Sequence, residues 1–117
     1  MSIRGGRGWP QNLPLSTAKG REMTISEFQR QIEAIYFEKD RARGVDGDFR
    51  WFVEEVGELA KALRSDDQAH LATEFADVLA WLCTLASLRG VDLEAAAGKY
   101  ARGCPKCGGT PCGCGGG

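Results

Sequence analysis

The sequence contains a single histidine, almost no net charge and no long uninterrupted apolar run. Its 15 basic and 16 acidic residues give a formal net charge of −1, so it lacks the strongly basic composition of many nucleic-acid-binding proteins. No apolar run approaches the roughly 20 residues that a membrane span needs. The N-terminus also lacks the apolar stretch of a secretory signal. We therefore expect a cytoplasmic protein with no membrane partner, and its 117 residues suffice for one domain.

Charge and composition divide the chain into three segments. Residues 1–22 carry four basic residues against one acidic residue and are rich in glycine and proline, which predicts a flexible basic leader. Residues 23–103 carry 10 basic and 15 acidic residues and hold nearly all of the large apolar side chains. Residues 104–117 hold four of the five cysteines and six glycines. This tail is too small to bury a core, so it needs a cross-link or a metal to hold a shape.

The middle segment has the apolar spacing of helices. No stretch alternates with period two, so no sheet is expected. Short loops favour antiparallel neighbours, and the predicted fold is an all-α, antiparallel four-helix bundle. The predicted helices run from the capping box of Thr24 and Glu27 to Gly44 and Gly47, from the N-cap Asp48 to about Arg64, from a cap at 65–67 to Gly90, and from the N-cap Asp92 to about Tyr100.

The second and third predicted helices share a pattern that repeats after 19 residues. Glu55 and Glu58 on the second helix recur as Glu74 and Asp77 on the third. At about 100° per residue, each pair lies beside the apolar stripe of its helix. Two antiparallel helices can therefore bring the four carboxylates to one shared edge. Glu54 falls on the opposite side of its helix, and we expect it to point away from the cluster.

Four neighbouring carboxylates repel one another and raise one another's pKa values, and a divalent cation removes that repulsion. Ligands that are all oxygen favour a hard ion, which predicts Mg²⁺ or Mn²⁺. A di-iron bundle would pair each glutamate with a histidine three residues later. The single His70 lies outside that register, and we expect it to be solvated. The alternative interpretation, a solvated acidic helix face without a metal, stays open on spacing alone.

Two motifs in the same order resemble those of a known family. Residues 52–60 (FVEEVGELA) resemble the EExxE helix of the MazG-type nucleoside triphosphate pyrophosphohydrolases, and residues 74–79 (EFADVL) resemble their ExxD helix. Residues 39–44 are similar to the basic end of the first helix of that family, and residues 90–94 to the turn into its last helix. The leader and the cysteine-rich tail fall outside the resemblance.

The resemblance, which covers about residues 23–102, implies an all-α bundle that forms a homodimer or a homotetramer. It implies Mg²⁺-dependent cleavage of a (deoxy)nucleoside triphosphate between the α and β phosphates, which releases a monophosphate and pyrophosphate. A house-cleaning role in nucleotide metabolism follows from that activity. The metal-binding positions that the resemblance assigns are Glu55, Glu58, Glu74 and Asp77.

An acidic site binds a polyphosphate only through metal ions. The metals bridge phosphate oxygens, neutralise developing charge and lower the pKa of an attacking water. One carboxylate, Glu55 or Glu54, is expected to take the proton of that water, and the sequence leaves the choice open.

Basic and aromatic side chains near the acidic motifs are candidates for contact with a nucleotide. Lys39 and Arg43 share one helix face, and Trp51 can stack on a base, with Trp81 and Tyr100 as further options. The alternatives are a solvated surface position for each cation and packing in the core or a subunit interface for each tryptophan. The predicted substrate contacts are Lys39, Arg43, Trp51, Lys61 and Lys99.

The tail carries the pattern C-x2-C-x4-C-x-C, made by Cys104, Cys107, Cys112 and Cys114. In a chain without an export signal, this spacing favours zinc over disulfides. Thiolates are soft ligands, the glycines permit tight turns, and the Cys-Pro-x-Cys-Gly start resembles a zinc knuckle. A loosely metal-binding tail and a redox pair are the alternatives. Cys83 lies among apolar residues and is expected to be buried.

Two other functions stay open from the sequence. One is phosphoribosyl-ATP pyrophosphohydrolysis, which uses a related helical scaffold. The other is a non-catalytic helical adaptor that binds nucleic acid or protein through its basic leader and zinc tail. The acidic cluster favours the enzyme, because an adaptor gains nothing from that repulsion, and we do not expect a nucleic-acid partner.

Overall fold

The computed structural model describes residues 22–115. Residues 1–21 of the predicted basic leader lie outside this range. The regular structure of the described part is helical throughout, with no strand between residues 22 and 115. The all-α prediction is confirmed. The elements are α1 (Ile25–Ala62), α2 (Gln68–Leu88), α3 (Leu93–Ala97) and a 3₁₀ turn (Gly98–Tyr100).

The first two predicted helices form one long element, α1, with a break at Gly44. The capping box at its start is present: the Glu27 N–H donates to Thr24 Oγ1 at 3.0 Å, and the Thr24 N–H donates to Glu27 Oε1 at 2.8 Å. Gly44 has φ 89° and ψ 162°, a conformation that is essentially restricted to glycine. The chain therefore kinks at Gly44 and then continues as helix.

Asp48 is not the N-cap that the sequence predicted. It is fully buried, and its Oδ1 accepts a hydrogen bond from Arg43 Nη1, which also donates to Asp40 Oδ1 at 3.1 Å. These bonds join the two sides of the break at Gly44. Burial raises the pKa of Asp48, and the neighbouring guanidinium acts in the opposite direction. The side chain is thus part of an ion-pair clamp and not a helix cap.

The fourth predicted helix is much shorter than expected. Asp92 does cap it, because Asp92 Oδ1 accepts from the Glu94 N–H at 3.0 Å, but α3 has only five residues before the 3₁₀ turn. The start of α3 is held against the start of α1, where the Ser26 N–H donates to Glu94 Oε1 at 2.9 Å. The described residues contain three helical elements, with α1 broken at Gly44, and the predicted four-helix bundle is not confirmed.

Helix α2 runs back along α1. Gln29 Nε2 donates to the Val91 carbonyl at 2.8 Å, and Thr84 Oγ1 donates to Asp40 Oδ2 at 2.8 Å. The early residue Gln29 thus contacts the late residue Val91, and Asp40 contacts Thr84, which precedes Val91. This order is that of an antiparallel helical hairpin. The N-cap of α2 is Asp67, within the predicted cap region.

Much of the apolar surface of this hairpin faces outward in the single chain. Phe49, Val53 and Phe75, which fit the apolar spacing of the predicted helices, are 52%, 50% and 52% exposed. By length and composition alone, α2 is also apolar enough to cross a membrane. It carries Glu74 and Asp77 near its middle, and carboxylates are costly at that depth of a bilayer. An exposed apolar face of this kind is instead typical of a protein interaction site.

Candidate metal centres and nucleotide groove

Three carboxylates meet where the second half of α1 packs against the first half of α2. Glu55 comes from α1, and Glu74 and Asp77 lie one turn apart on α2. One oxygen of each side chain lies within 4.8 Å of an oxygen of the other two. The antiparallel pairing of the two helices produces this cluster, because it brings the repeated acidic positions to the same edge. We call these three residues the acidic cluster.

The acidic cluster is partly removed from water. Glu74 is buried, and its Oε1 has no hydrogen-bond partner in the described structure. Its Oε2 lies 3.8 Å from His70 Nε2. Burial raises the pKa of Glu55, and the charges of Asp77 and Glu74 raise it further. A buried carboxylate oxygen without a donor costs about 1–3 kcal/mol or more, so the cluster fits a cation and has the all-oxygen donors that Mg²⁺ or Mn²⁺ prefers.

The other two predicted acids lie outside the acidic cluster. The Glu58 side chain is 56% exposed and lies 4.0 Å from Lys61 Nζ, although its charge still contributes to the raised pKa of Glu55. Glu58 and Lys61 are therefore at the rim of the site. Glu54 is exposed and is not one of the clustered carboxylates.

A groove of about 220 Å³ adjoins the acidic cluster and shares Asp77 with it. Tyr36, Lys39 and Trp81 also line this groove. One lysine and two aromatic residues thus line a space between α1 and α2 that Asp77 of the acidic cluster also lines. The groove therefore offers one cation for a phosphate and two rings for a base, next to the candidate metal ligands.

The predicted contact Arg43 lines the groove, but its charge is already paired. Its guanidinium binds Asp40 and Asp48 and lies 5.4 Å from the centroid of the Trp81 ring. The hydrogen bond that the guanidinium donates to Asp48 is the main reason that the pKa of Arg43 is raised. These contacts do not support the expectation that Arg43 meets a phosphate. They indicate that it supports the kink and the wall of the groove.

Trp51 and Lys99 are not among the residues that line the groove. The Trp51 ring stacks on Trp81 with 6.2 Å between centroids and an interplanar angle of 10°. One face of Trp51 is thus covered, and Trp81 is the tryptophan that reaches the groove. Lys99 lies on the 3₁₀ turn, where its Nζ is 5.3 Å from the centroid of the Tyr100 ring.

Tyr36 and Asp40 are among the groove residues that were not predicted as substrate contacts. Both lie on the same helical face as Lys39 and Arg43, at spacings of three or four residues. That spacing is a usable signal, because residues so placed share one side of a helix.

A second cluster lies in the tail, where four free thiols come together. The Sγ atoms of Cys104, Cys107, Cys112 and Cys114 all lie within 4.8 Å of one another. The distances are 3.8 Å between Cys104 and Cys114, 3.9 Å between Cys107 and Cys112, and 3.6 Å between Cys112 and Cys104. We call these residues the cysteine cluster. Cys83 is fully buried in α2, as predicted.

The thiols of the cysteine cluster differ in acidity, because backbone amides and neighbouring thiols shift their pKa values in opposite directions. The N–H groups of Gly113 and Gly109 donate to Cys107 Sγ at 3.2 and 3.4 Å and lower the pKa of Cys107 to about 6. The neighbouring thiols, Cys112 first among them, raise the pKa of Cys114 to about 11.

A comparison with models of known protein families finds a match for this chain. A family model described as the MazG nucleotide pyrophosphohydrolase domain matches residues 48–107, slightly more than half of the 117 residues. The matched region contains the whole acidic cluster and ends at Cys107, so Cys112 and Cys114 lie beyond it. A comparison with curated proteins found no match. The extent of the family match shows that the chain belongs to the MazG nucleotide pyrophosphohydrolase family.

Proposed function

We propose that the protein hydrolyses a (deoxy)nucleoside triphosphate to the monophosphate and pyrophosphate, in a house-cleaning role. Family membership supports a nucleotide pyrophosphohydrolase. The observation that carries the proposal is the acidic cluster of Glu55, Glu74 and Asp77, with the unpartnered buried oxygen of Glu74, beside a groove that a cation and aromatic rings line.

Mg²⁺, or Mn²⁺ in its place, suits the acidic cluster because every donor is a carboxylate oxygen. Glu55, Glu74 and Asp77 would hold the ion, and Glu58 at the rim would add charge or a further ligand. When bound, the ion supplies positive charge to phosphate oxygens and lowers the pKa of a coordinated water. The carboxylates of the chain position that charge and hold it at the end of the groove.

The groove residues bind and orient the nucleotide. Lys39 pairs with phosphate oxygens, since this residue lines the groove together with Asp77. Tyr36 offers a ring face to the base, and Trp81 lines the same wall of the groove. Trp51 and Arg43 pack on Trp81 and hold its ring in place. The phosphates then lie at the acidic cluster and the base lies toward the aromatic wall.

Glu55 is the better candidate for the base that takes the proton of the attacking water. It lies in the acidic cluster, next to where a water coordinated to the ion would be held. Glu54 is exposed and stands outside the acidic cluster. Loss of turnover is expected to be larger for Glu55→Gln than for Glu54→Gln, and Mn²⁺ binding by each variant separates loss of the base from loss of the metal.

We also infer that the protein works as a homodimer or a homotetramer. Phe49, Val53, Phe75 and Leu79 on α1 and α2 are all more than 40% exposed in the single chain. A second copy would cover this apolar face, and the same face accounts for the apolar composition of α2. Sedimentation at micromolar concentration is expected to give a mass of two or four chains, and a monomer would contradict the inference.

A product assay tests the proposed function. Purified protein would meet ribo- and deoxyribonucleoside triphosphates and phosphoribosyl-ATP, with Mg²⁺ or with EDTA, and pyrophosphate and orthophosphate would be measured separately. We expect Mg²⁺-dependent release of monophosphate and pyrophosphate in equal amounts from a nucleoside triphosphate. Asp77→Asn should abolish release, whereas Glu38→Gln on the exposed part of α1 should not.

Three outcomes would overturn this proposal. Preference for phosphoribosyl-ATP would identify the biosynthetic relative, and orthophosphate as the product would place cleavage at the wrong bond. Absence of release from every nucleotide, with the helices intact by circular dichroism, would favour the non-catalytic adaptor.

A further inference from the structure

We propose that the cysteine cluster binds one Zn²⁺ ion in a closed structural site that folds residues 103–115 separately from the helices. The ligands are Cys104, Cys107, Cys112 and Cys114. This site is distinct from the acidic cluster, and the inference does not depend on the proposed hydrolase activity.

The spacing of the sulfur atoms is that of a tetrahedral metal site. A Zn–S distance of about 2.3 Å in tetrahedral geometry separates neighbouring sulfurs by about 3.8 Å. The distances of 3.6, 3.8 and 3.9 Å in the cysteine cluster lie close to that value. A disulfide would need a separation near 2.05 Å, and all four cysteines are free.

The backbone folds around the sulfurs in a repeated way. The N–H of the residue two positions later donates to the sulfur of Cys104, Cys107 and Cys112, at 3.4, 3.4 and 3.2 Å. Such N–H groups spread the negative charge of a thiolate that binds a metal. Three similar turns at three cysteines indicate a built ligand set and not a chance meeting of thiols.

Little besides the sulfurs holds this segment together. Residues 103–115 contain no helix or strand, and Cys107 and Cys112 are exposed. Two backbone hydrogen bonds close the first turn: the Gly108 N–H donates to the Cys104 carbonyl at 2.7 Å, and the Cys104 N–H donates to the Gly109 carbonyl at 3.0 Å. A segment this small without an apolar core needs a metal or cross-links to keep one shape.

Four thiolates leave no open coordination position, which is the arrangement of a structural site and not of a catalytic one. A tetrahedral set of four sulfurs takes zinc or iron. We assign zinc because it binds such ligands more strongly than Fe²⁺ does in the order of divalent metal affinities. The site therefore stabilises the fold of the tail and takes no part in phosphate chemistry.

Metal analysis of the full chain tests the proposal. The protein would be produced with zinc and iron both supplied, purified under reducing conditions without a metal column, and analysed by mass spectrometry of the elements. We expect one zinc per chain in the wild type and none above background in Cys107→Ser/Cys112→Ser. Cys83→Ala, which removes a thiol outside the cysteine cluster, should keep its zinc.

Stoichiometric iron, absence of zinc from the wild type, or zinc retained in the double variant would each overturn the zinc site. Circular dichroism of the same proteins tests the separation from the helices. The double variant is expected to keep the helical signal of α1 and α2, whereas backbone NMR signals of residues 103–115 collapse to those of an unfolded segment. Loss of the helices on removal of zinc would contradict a separately folded tail.

Discussion

The acidic cluster and the cysteine cluster reach the same chemical state, several anionic ligands in contact, by opposite routes. Glu55 and Asp77 are 22 residues apart in the sequence, and packing of α1 against α2 brings them together. Cys104 and Cys114 are only 10 residues apart, and no helix or strand positions them. The helices therefore build the first site, whereas the second site depends on what it binds.

This difference predicts how each site responds to loss of its metal. The helices hold the acidic cluster together against repulsion between its carboxylates, so a metal can leave and return without unfolding. In the cysteine cluster, metal binding and folding are the same event. The first arrangement suits an ion that arrives with a substrate, and the second suits an ion that stays.

The largest expected effect is on turnover when the acidic cluster loses one charge. Glu74→Gln and Asp77→Asn should each lower kcat at least about 100-fold, because each removes a metal ligand that acts on the transition state. The same variants should unfold at an equal or higher temperature in EDTA, since they remove repulsion between like charges. Activity assays and thermal melts check the two halves of this prediction.

Glu38→Gln is the matched control, because Glu38 is exposed on α1 and pairs only with Arg41 in the described structure. It should keep full activity. Wild-type turnover in Asp77→Asn would exclude the acidic cluster as the metal site.

Selective removal of metal should separate the two sites. EDTA is expected to stop pyrophosphate release within mixing time, and added Mg²⁺ should restore it, with no change in helical circular dichroism. An organomercurial that attacks thiolates should release zinc and unfold residues 103–115, again with α1 and α2 intact. Zinc release can be followed with a coloured chelator. Loss of helical signal with either reagent would show that the two regions are not independent.

A substitution at the kink residue Gly44 should destabilise the helices and leave the cysteine cluster unchanged. Gly44→Ala is expected to lower the free energy of unfolding by about 1–3 kcal/mol, because Gly44 has φ 89° and ψ 162°. Gly57→Ala is the control with the opposite sign: its Cβ meets nothing within 4 Å inside α1, and it should add up to about 1 kcal/mol. Denaturant unfolding measures both, and the zinc content should not change in either variant.

The smallest effect concerns the shape of the cysteine cluster. A Cβ at Gly109 would lie 2.7 Å from the Pro111 carbonyl oxygen, whereas a Cβ at Gly113 would meet nothing within 4 Å. Gly109→Ala should therefore release zinc several-fold faster to a competing chelator, and Gly113→Ala should match the wild type. Equal release rates for the two variants would mean that the turn at Gly109 does not constrain the ligands.

The sequence predicted the structure best where a regular spacing of residues determines which side chains share a helix face. The helical period and the 19-residue repeat placed Glu55, Glu74 and Asp77 at one edge, where the structure brings them together. The all-α fold followed from the same periods. Cysteine spacing likewise located the sulfur cluster, because short segments leave few ways to arrange four thiols.

The sequence failed where a side chain has two possible partners. Asp48 after two glycines looks like an N-cap, but it is fully buried and pairs with the nearby Arg43. The same pairing removed Arg43 from the expected phosphate contacts. Local patterns cannot reveal such choices, because the winning partner depends on how the two halves of α1 are joined at Gly44.

Exposure of the apolar face has a related cause. Spacing shows that Phe49, Val53 and Phe75 belong to apolar stripes, yet it does not show which surface covers each stripe. In the single chain these side chains remain about half exposed. A periodic pattern identifies a buried face equally well whether the partner is the same chain or another copy.

Titration with Mn²⁺ tests most directly whether the protein contains two chemically distinct metal sites. Mn²⁺ would be added to three proteins: the wild type and Asp77→Asn, both loaded with zinc, and Cys107→Ser/Cys112→Ser. Free Mn²⁺ would be measured by electron paramagnetic resonance. We predict that wild type and the double cysteine variant bind Mn²⁺ equally and that Asp77→Asn loses most of this binding. Unchanged binding in Asp77→Asn, or its loss in the cysteine variant, would contradict two independent sites.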